Sequence, residues 1–452
     1  NNPNKTANNL LFNTDIINQN SNSENYTIYN HFNHTLQLTE KTVLNNYFYI
    51  GNDKINEKSK ISSPFLNSFL SLDTNQIINQ NANNKLFYIG NKSKLINKFR
   101  KIDLTNTVQF EYSNEQFKND FIANNQIIET YQNNANLKIL NLFQENTLRY
   151  NFSRKIDLTA NLNFQNIQFN NNTFSTNLFL INPSIYFNIK KTGFGNFSFS
   201  FSENNSLPEI NQLTTNYQLT DYRSFLQGTT FQKPLKNQTT GLNYSYYNDE
   251  KRFSINTNIF YSNSKSILNT SSNLTSDFNF NSYIQTKGNE SYNFNFSLVN
   301  YSRKLKLASK IETLNNWITS PLNVNSTEFS NAKSYSNSIK YSATTYFKSK
   351  INFDFGFSYN YFQSNFQGIK TTNTTKDAFL NINYKVSKTI LAESNNSLYY
   401  VNNKNYSFNN VVLSYTPLDS KFSYRLILNN LVNENQYTSI SINNYSYYQS
   451  IV

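Results

Sequence analysis

The sequence has no cysteine and no methionine, and it holds one tryptophan, two histidines, nine glycines and seven prolines in 452 residues. Without cysteine there are no disulfides, no thiolate metal sites and no cysteine nucleophile. Imidazole chemistry is limited to His31 and His34, and at a spacing of three these point to opposite faces of a strand. No third ligand accompanies them and no G-x-S-x-G elbow occurs, so the sequence offers no catalytic residue, no metal site and no cofactor site. It reads as a non-enzyme. Charged residues reach only 15%, against about 25% in ordinary soluble domains. No apolar run attains the ~18 residues of a membrane-spanning helix. Neither an initiator methionine nor a signal peptide stands at Asn1, which is expected of a mature or truncated piece of a longer product.

What the chain does have is asparagine, about a fifth of all residues, with 33 tyrosines and 39 phenylalanines. The net charge of +13 raises the question of nucleic acid. The lysines and arginines are dispersed, however, and many sit in short connections, the pattern of solvated turns rather than of a strand-binding groove. Nucleic acid is therefore not an expected partner.

The aromatics are placed at period two. In "INFDFGFSYNYF", residues 351–362, Ile351, Phe353, Phe355, Phe357, Tyr359 and Tyr361 fall on one side of an extended chain, while Asn352, Asp354, Gly356, Ser358 and Asn360 fall on the other. The same alternation puts Phe197, Phe199 and Phe201 opposite serines. It puts Phe253, Ile255, Ile259 and Tyr261 opposite Ser254, Asn256 and Asn258, and Tyr292, Phe294, Phe296 and Leu298 opposite Asn293, Asn295 and Ser297. Strict alternation over such lengths specifies half-buried strands, and the chain reads as nearly all β. With mean hydropathy at −0.63, something apolar must meet those rings.

The connectors come in two kinds. Short, basic or turn-prone ones lie at Arg100 and Lys101, 153–155, 190–193, 248–251, 302–304, 348–350, 386–388 and 417–420. Longer Asn/Ser/Thr-rich ones, such as 262–276 and 364–376, are expected between them as loops. Tight turns on one side and long loops on the other are the signature of a transmembrane antiparallel up-and-down β-barrel. Roughly 16–20 strands are expected, two to four of them in the poorly patterned first hundred residues, and all of 1–452 reads as one barrel. The turn 348–350 sets a register in which Ile351 meets Phe347 and Ile339, Tyr341, Ala343 and Thr345 share their face. Two echoes, "RKIDLT" at Arg100 and Arg154, and "YFYIGN" at Tyr47 against "LFYIGN" at Leu86, fit duplicated hairpins.

A β-sandwich also alternates. The bilayer is favoured because the strands read as about 10–14 residues, enough to cross the hydrocarbon at a tilt, and because tyrosines gather near strand ends, where a girdle belongs. Phe197, Phe199, Phe201, Phe253, Ile255, Ile259, Phe294, Phe296, Phe353, Phe355, Phe357, Tyr359 and Tyr361 are the expected lipid-facing set. Trp317 is expected on a rim or loop.

"FSFSFSENNSLPEINQL" from Phe197, followed by "SFLQGTTFQKPLKNQTTGLNYSYY" from Ser224, resembles the barrel of TonB-dependent outer-membrane receptors, in which a strand ends in a proline-bearing segment and a second element precedes the next strand. Gly228, Phe231 and Pro234 stand in that second element, and the glutamate that usually follows its proline is absent. "YIQTKGNESYNFNFSLVNYSRKLKL" and "LSYTPLDSKFSYRLILNNLVNENQY" are similar to Bacteroidetes-type members. The resemblance covers 103–452, with no recognisable plug domain or TonB-contacting segment, and both ends read as cut.

The resemblance implies outer-membrane lipid as surroundings, energised import of a scarce solute, and a TonB complex acting through a plug region. Within it, the segment 204–237 is the expected ligand-contact loop, with Tyr217, Tyr222, Arg223 and Phe225 as candidates, or else a merely solvated loop. Whether a surface lipoprotein covers the loops is open from the sequence, as is the solute. The alternatives are a barrel without energised transport, serving as passive pore, adhesin or surface-assembly platform, and an Asn-rich secreted β adhesin.

Overall fold

The computed structural model describes residues 4–12, 15–73, 76–172, 174–221, 223–275, 277–326, 328–401, 404–418, 422–432, 438–442 and 447–451. Its main feature is one 23-stranded sheet. Four of those strands, Gln126–Ile127, Gln218–Asp221, Ser224–Gln227 and Asn279–Thr286, are short additions at one end, so nineteen follow one another as an up-and-down meander from Asn4–Phe12 to Tyr424–Leu428. Every neighbouring pair in that meander is antiparallel. The strand number falls inside the expected range. The first hundred residues contribute Asn4–Phe12, Asp15–Thr39, Thr42–Ser62 and Ile77–Phe99.

Seven of the eight short connectors read from the sequence join successive strands at one end of the meander, and the eighth, 417–420, lies partly outside the described residues. The hairpin around 348–350 keeps the expected register: Ile339 faces Tyr359, Tyr341 faces Phe357 and Ala343 faces Phe355. Period two fixes this, since a slip of one residue would turn every ring to the polar side.

Strand length departs from expectation. Asp15–Thr39 runs for 25 residues, Ile77–Phe99 for 23 and Ile102–Ala123 for 22. The segments 262–276 and 364–376, expected as loops, are mostly strand: Phe253–Leu274 continues through the first, and Ile351–Phe366 and Ile369–Lys385 enter the second. Only Gln367 and Gly368 separate the latter two strands, with φ of 49° and 82°. Two successive positive φ values make the tight primed turn that suits strand twist, and glycine at the second position relieves its strain. The apolar alternation stops where the rings stop, but backbone pairing is indifferent to that and carries the hairpins onward with Asn, Ser and Thr side chains.

The sheet curls, and its polar face is the concave one. Thr42–Ser62 and Phe253–Leu274 stand eight places apart along the meander, which in a flat sheet would separate them by about 38 Å. Yet Ile61 at the end of the first shares one buried cluster with Phe225 and with Phe278, which follows the second. Phe65 packs against that cluster, its ring stacked on Phe278 at 5.0 Å. Ile61 and Phe121 project from the face opposite the aromatic rows.

Candidate functional site

Following the register from strand to strand puts the whole expected lipid-facing set on one continuous surface. Phe197 pairs with Tyr244, Phe199 with Leu242 and Phe201 with Thr240. Tyr244 and Leu242 face Thr257 and Ile259, Ile259 faces Phe294 and Thr257 faces Phe296. The same face continues through Thr313 and Ile339 to Tyr359. Within the set, Phe197, Phe199, Ile259 and Phe357 are exposed, Phe357 by 52%. Their outer sides are open because they lie on the convex side.

Aromatic rows bound this surface. Toward the longer hairpins, Tyr261, Tyr292, Trp317 and Tyr335 are successive direct partners on four strands. Their ring centroids are 4.7 Å apart for Tyr261 and Tyr292 and 5.1 Å for Trp317 and Tyr335, with Tyr361 next at 6.1 Å from Tyr335. Trp317 thus belongs to a strand and to this row, not to a rim or loop. Toward the tight turns, Tyr415 stacks on Tyr424 and Tyr246 approaches Phe253. About ten residues along Ile351–Phe366 separate the two levels, or roughly 24 Å at a 45° tilt, the height of the apolar band of outer-membrane barrels.

The concave face is mainly polar, and the segment 207–234 is folded across it. It leaves Gly195–Ser206 and returns to Leu235–Asn248, strands that pair directly. Between them it forms a 3-10 turn at Ile210–Leu213, closed by Glu209 and Gln212 in a capping box, and two short strands. Ile210 and Leu213 are buried with Phe117, Leu137, Ile167, Phe169 and Leu180 of four neighbouring strands. Leu219 and Phe225 are buried with Ile61, Ile78 and Phe121 further along.

Two amide side chains hold this segment as peptide groups would. Gln80 donates to the Leu219 carbonyl at 2.7 Å and accepts from its N–H at 3.0 Å. Asn133 does the same for Asn216, at 3.0 and 2.9 Å. Above the aromatic rows, burial holds the Glu115 carboxyl above its ordinary range, the Asn84 amide that donates to it opposes this, and Glu209 of the segment adds to the rise. Burial likewise raises the Tyr131 phenol, and Tyr217 contributes.

The candidate ligand residues separate. Phe225 has no solvent exposure and stacks on Phe280 at 5.1 Å, so it holds the segment in place and cannot touch a solute while docked. Tyr217 is half-buried, edge-on to Phe280, with its hydroxyl 3.5 Å from Ser282. Arg223 Nε donates to the Asp277 carbonyl at 2.7 Å, which ties the segment to the Phe253–Leu274 hairpin. Tyr222 lies outside the described residues. His31 and His34 occupy opposite faces, as their spacing requires: His31 pairs with Tyr49 and His34 with Asn46.

One concave-face feature was not read from the sequence. Tyr29, His31, Tyr47, Tyr49 and Tyr88 form a ring cluster with neighbouring centroids 5.4–6.4 Å apart. The Tyr49 hydroxyl donates to Glu111 and accepts from Gln109 at 2.8 Å. The repeated "YIGN" was its visible signal.

No protein-family model and no curated protein matches the chain. Solved structures do. The siderophore receptor PirA from Acinetobacter baumannii is 10% identical with a TM-score of 0.44, over 85% of this chain and 66% of that one. The ferric-catecholate import receptor Fiu from E. coli K12 is 11% identical with a TM-score of 0.47, over 97% and 63%. The copper transporter OprC is 7% identical with a TM-score of 0.45, over 87% and 71%. The chain therefore spans just under two thirds of the first of these proteins and of Fiu. With these TM-scores below 0.5, the all-β fold rests on the hydrogen-bonded meander and not on the likeness.

Proposed function

We propose that this chain is the barrel wall of a TonB-dependent outer-membrane receptor, importing a solute too scarce or too large to diffuse through an open pore. The convex band of rings, bounded by aromatic rows, faces the lipid of the outer membrane. Phe353, Phe355 and Phe357 meet acyl chains, while Asp354 points into a polar interior where its charge stays solvated. Closure of the meander on itself would satisfy the backbone groups that lipid cannot.

The observation that carries the transport reading is the segment 207–234, docked across the concave face at the end with the longer hairpins. A segment folded across the mouth narrows the path for free diffusion and offers a surface on which a solute can be held before it passes. Tyr217 and Arg223 are the proposed solute-side residues, and Phe225 is the anchor beneath them. The TonB complex acts through a plug region in the full-length protein. The test is solute uptake by cells carrying the full-length gene, with and without dissipation of the inner-membrane proton-motive force. Uptake that stops on dissipation supports the reading, and uptake that continues unchanged shows a passive pore.

A further inference from the structure

Resting on the membrane-spanning reading, we propose a binding site for the phosphate groups of a membrane glycolipid on the convex face, just beyond the apolar band on Thr42–Ser62, Ile77–Phe99, Ile102–Ala123 and Asn133–Ser153. In "NDKINEKSK", from Asn52 to Lys60, alternation sorts charge by sign. Asp53 and Glu57 share the concave face with Tyr49, and Lys54, Lys58 and Lys60 share the convex face with Phe48 and Ile50.

Lys54 is the direct cross-strand partner of Lys85. Like charges directly opposite each other destabilise a strand pair unless an anion lies between them. Lys138 enters the same patch from Asn133–Ser153, where it faces Asn114, itself the partner of Phe87. Lys118 is ion-paired with Asp120 at 2.7 Å. Among the described residues, by contrast, no carboxylate pairs with Lys54, Lys85 or Lys138. A groove of about 560 Å³ opens at Lys85, lined also by Asn83, Gln116, Asn134 and Asn136 and by the Lys118–Asp120 ion pair.

Immediately below, the exposed rings of Phe48, Phe87 and Phe110 and the side chain of Ile50 form an apolar wall. Unpaired ammonium groups and amide donors stacked on a wall of that kind match an amphiphile with anionic phosphates at its head and acyl chains beneath. Lysines beside a membrane surface attract such headgroups, and salt weakens the attraction. A lipid fits better than a free phosphate ion because the wall and the lysines are continuous.

The test uses the full chain in vesicles of phosphatidylcholine containing bisphosphorylated lipid A or its dephosphorylated form, with bound lipid counted by native mass spectrometry. The wild type should retain the bisphosphorylated form at least tenfold more than the dephosphorylated one. The K54Q/K85Q/K138Q variant should lose that preference, and Lys310→Gln, on the concave face, should keep it. Equal retention by wild type and triple variant overturns the proposal. So does complete displacement by millimolar inorganic phosphate, which would mark a site for the free ion. Heat-modifiable gel migration of the same samples separates the two readings: a wild type that inserts but ignores phosphate refutes only the lipid site, and one that is monodisperse without detergent refutes both.

Discussion

The ring of Tyr49 lies where a side chain on Gly90 would begin, and the two residues are direct partners across Thr42–Ser62 and Ile77–Phe99. The reciprocal pair holds two positions away: Gly51 faces Tyr88, whose ring fills the space of a Gly51 Cβ. The "YIGN" echo is thus two copies of one motif, run antiparallel so that each tyrosine covers the other's glycine. Glycine weakens a strand by leaving backbone uncovered, and a cross-strand ring restores that cover.

Gly90→Val should therefore be destabilising by about 1–3 kcal/mol, as overpacking usually is. The readout is the midpoint of heat-modifiable unfolding on gels. In the Tyr49→Ala background the same substitution should cost much less, because the ring it displaces is gone. Additive losses in that cycle would show that the clasp does not exist.

Phe296 and Ser297 are adjacent but belong to opposite faces. Phe296→Lys should cost about 2–4 kcal/mol, the range for lysine on the lipid side of a barrel, and should reduce the folded fraction in the outer membrane. Ser297→Lys places its ammonium on the concave face beside Glu312, its direct partner, and should leave assembly near wild type. Equal effects of the two would remove the basis for assigning the faces.

Each of Gln80 and Asn133 contributes two hydrogen bonds to the docked segment. Gln80→Ala and Asn133→Ala should each loosen it by about 1–3 kcal/mol, since a backbone N–H and C=O lose their partners. Limited proteolysis should then cut within 207–234 sooner, while the strands stay protected. Unchanged cutting would mean that the apolar clusters alone hold the segment.

The docked state should also respond to pH through Glu115. Its folded pKa is raised, chiefly by burial, so its contribution to docking is fully present below the unfolded carboxyl value. That contribution is lost as pH rises through the folded one. Amide protection at Ile210 and Leu213 should accordingly increase as pH falls across that window. Glu115→Gln, which stays uncharged, should flatten the profile. A wild-type profile that is already flat would count against any coupling of Glu115 to the segment.

The alternation itself determined much of this protein. Phe353 to Tyr361 could share a face only as a strand, the turn at 348–350 set which residues of that strand meet Ile339 and Tyr341, and the basic connectors marked one end of the meander. Those features depend on neighbours in the chain, and a period of two reads them directly. The tertiary structure alone decided how far the strands extend past their rings, because a backbone ladder lengthens regardless of what its side chains prefer. It alone set Tyr49 over Gly90 and Lys54 beside Lys85, pairs whose meeting depends on the register between two strands separated by a connector that carries the short helix Pro64–Phe69. The curl of the sheet decided the rest: by bringing Ile61 to Phe278, it made the polar face a concave surface on which the segment 207–234 could bury Phe225.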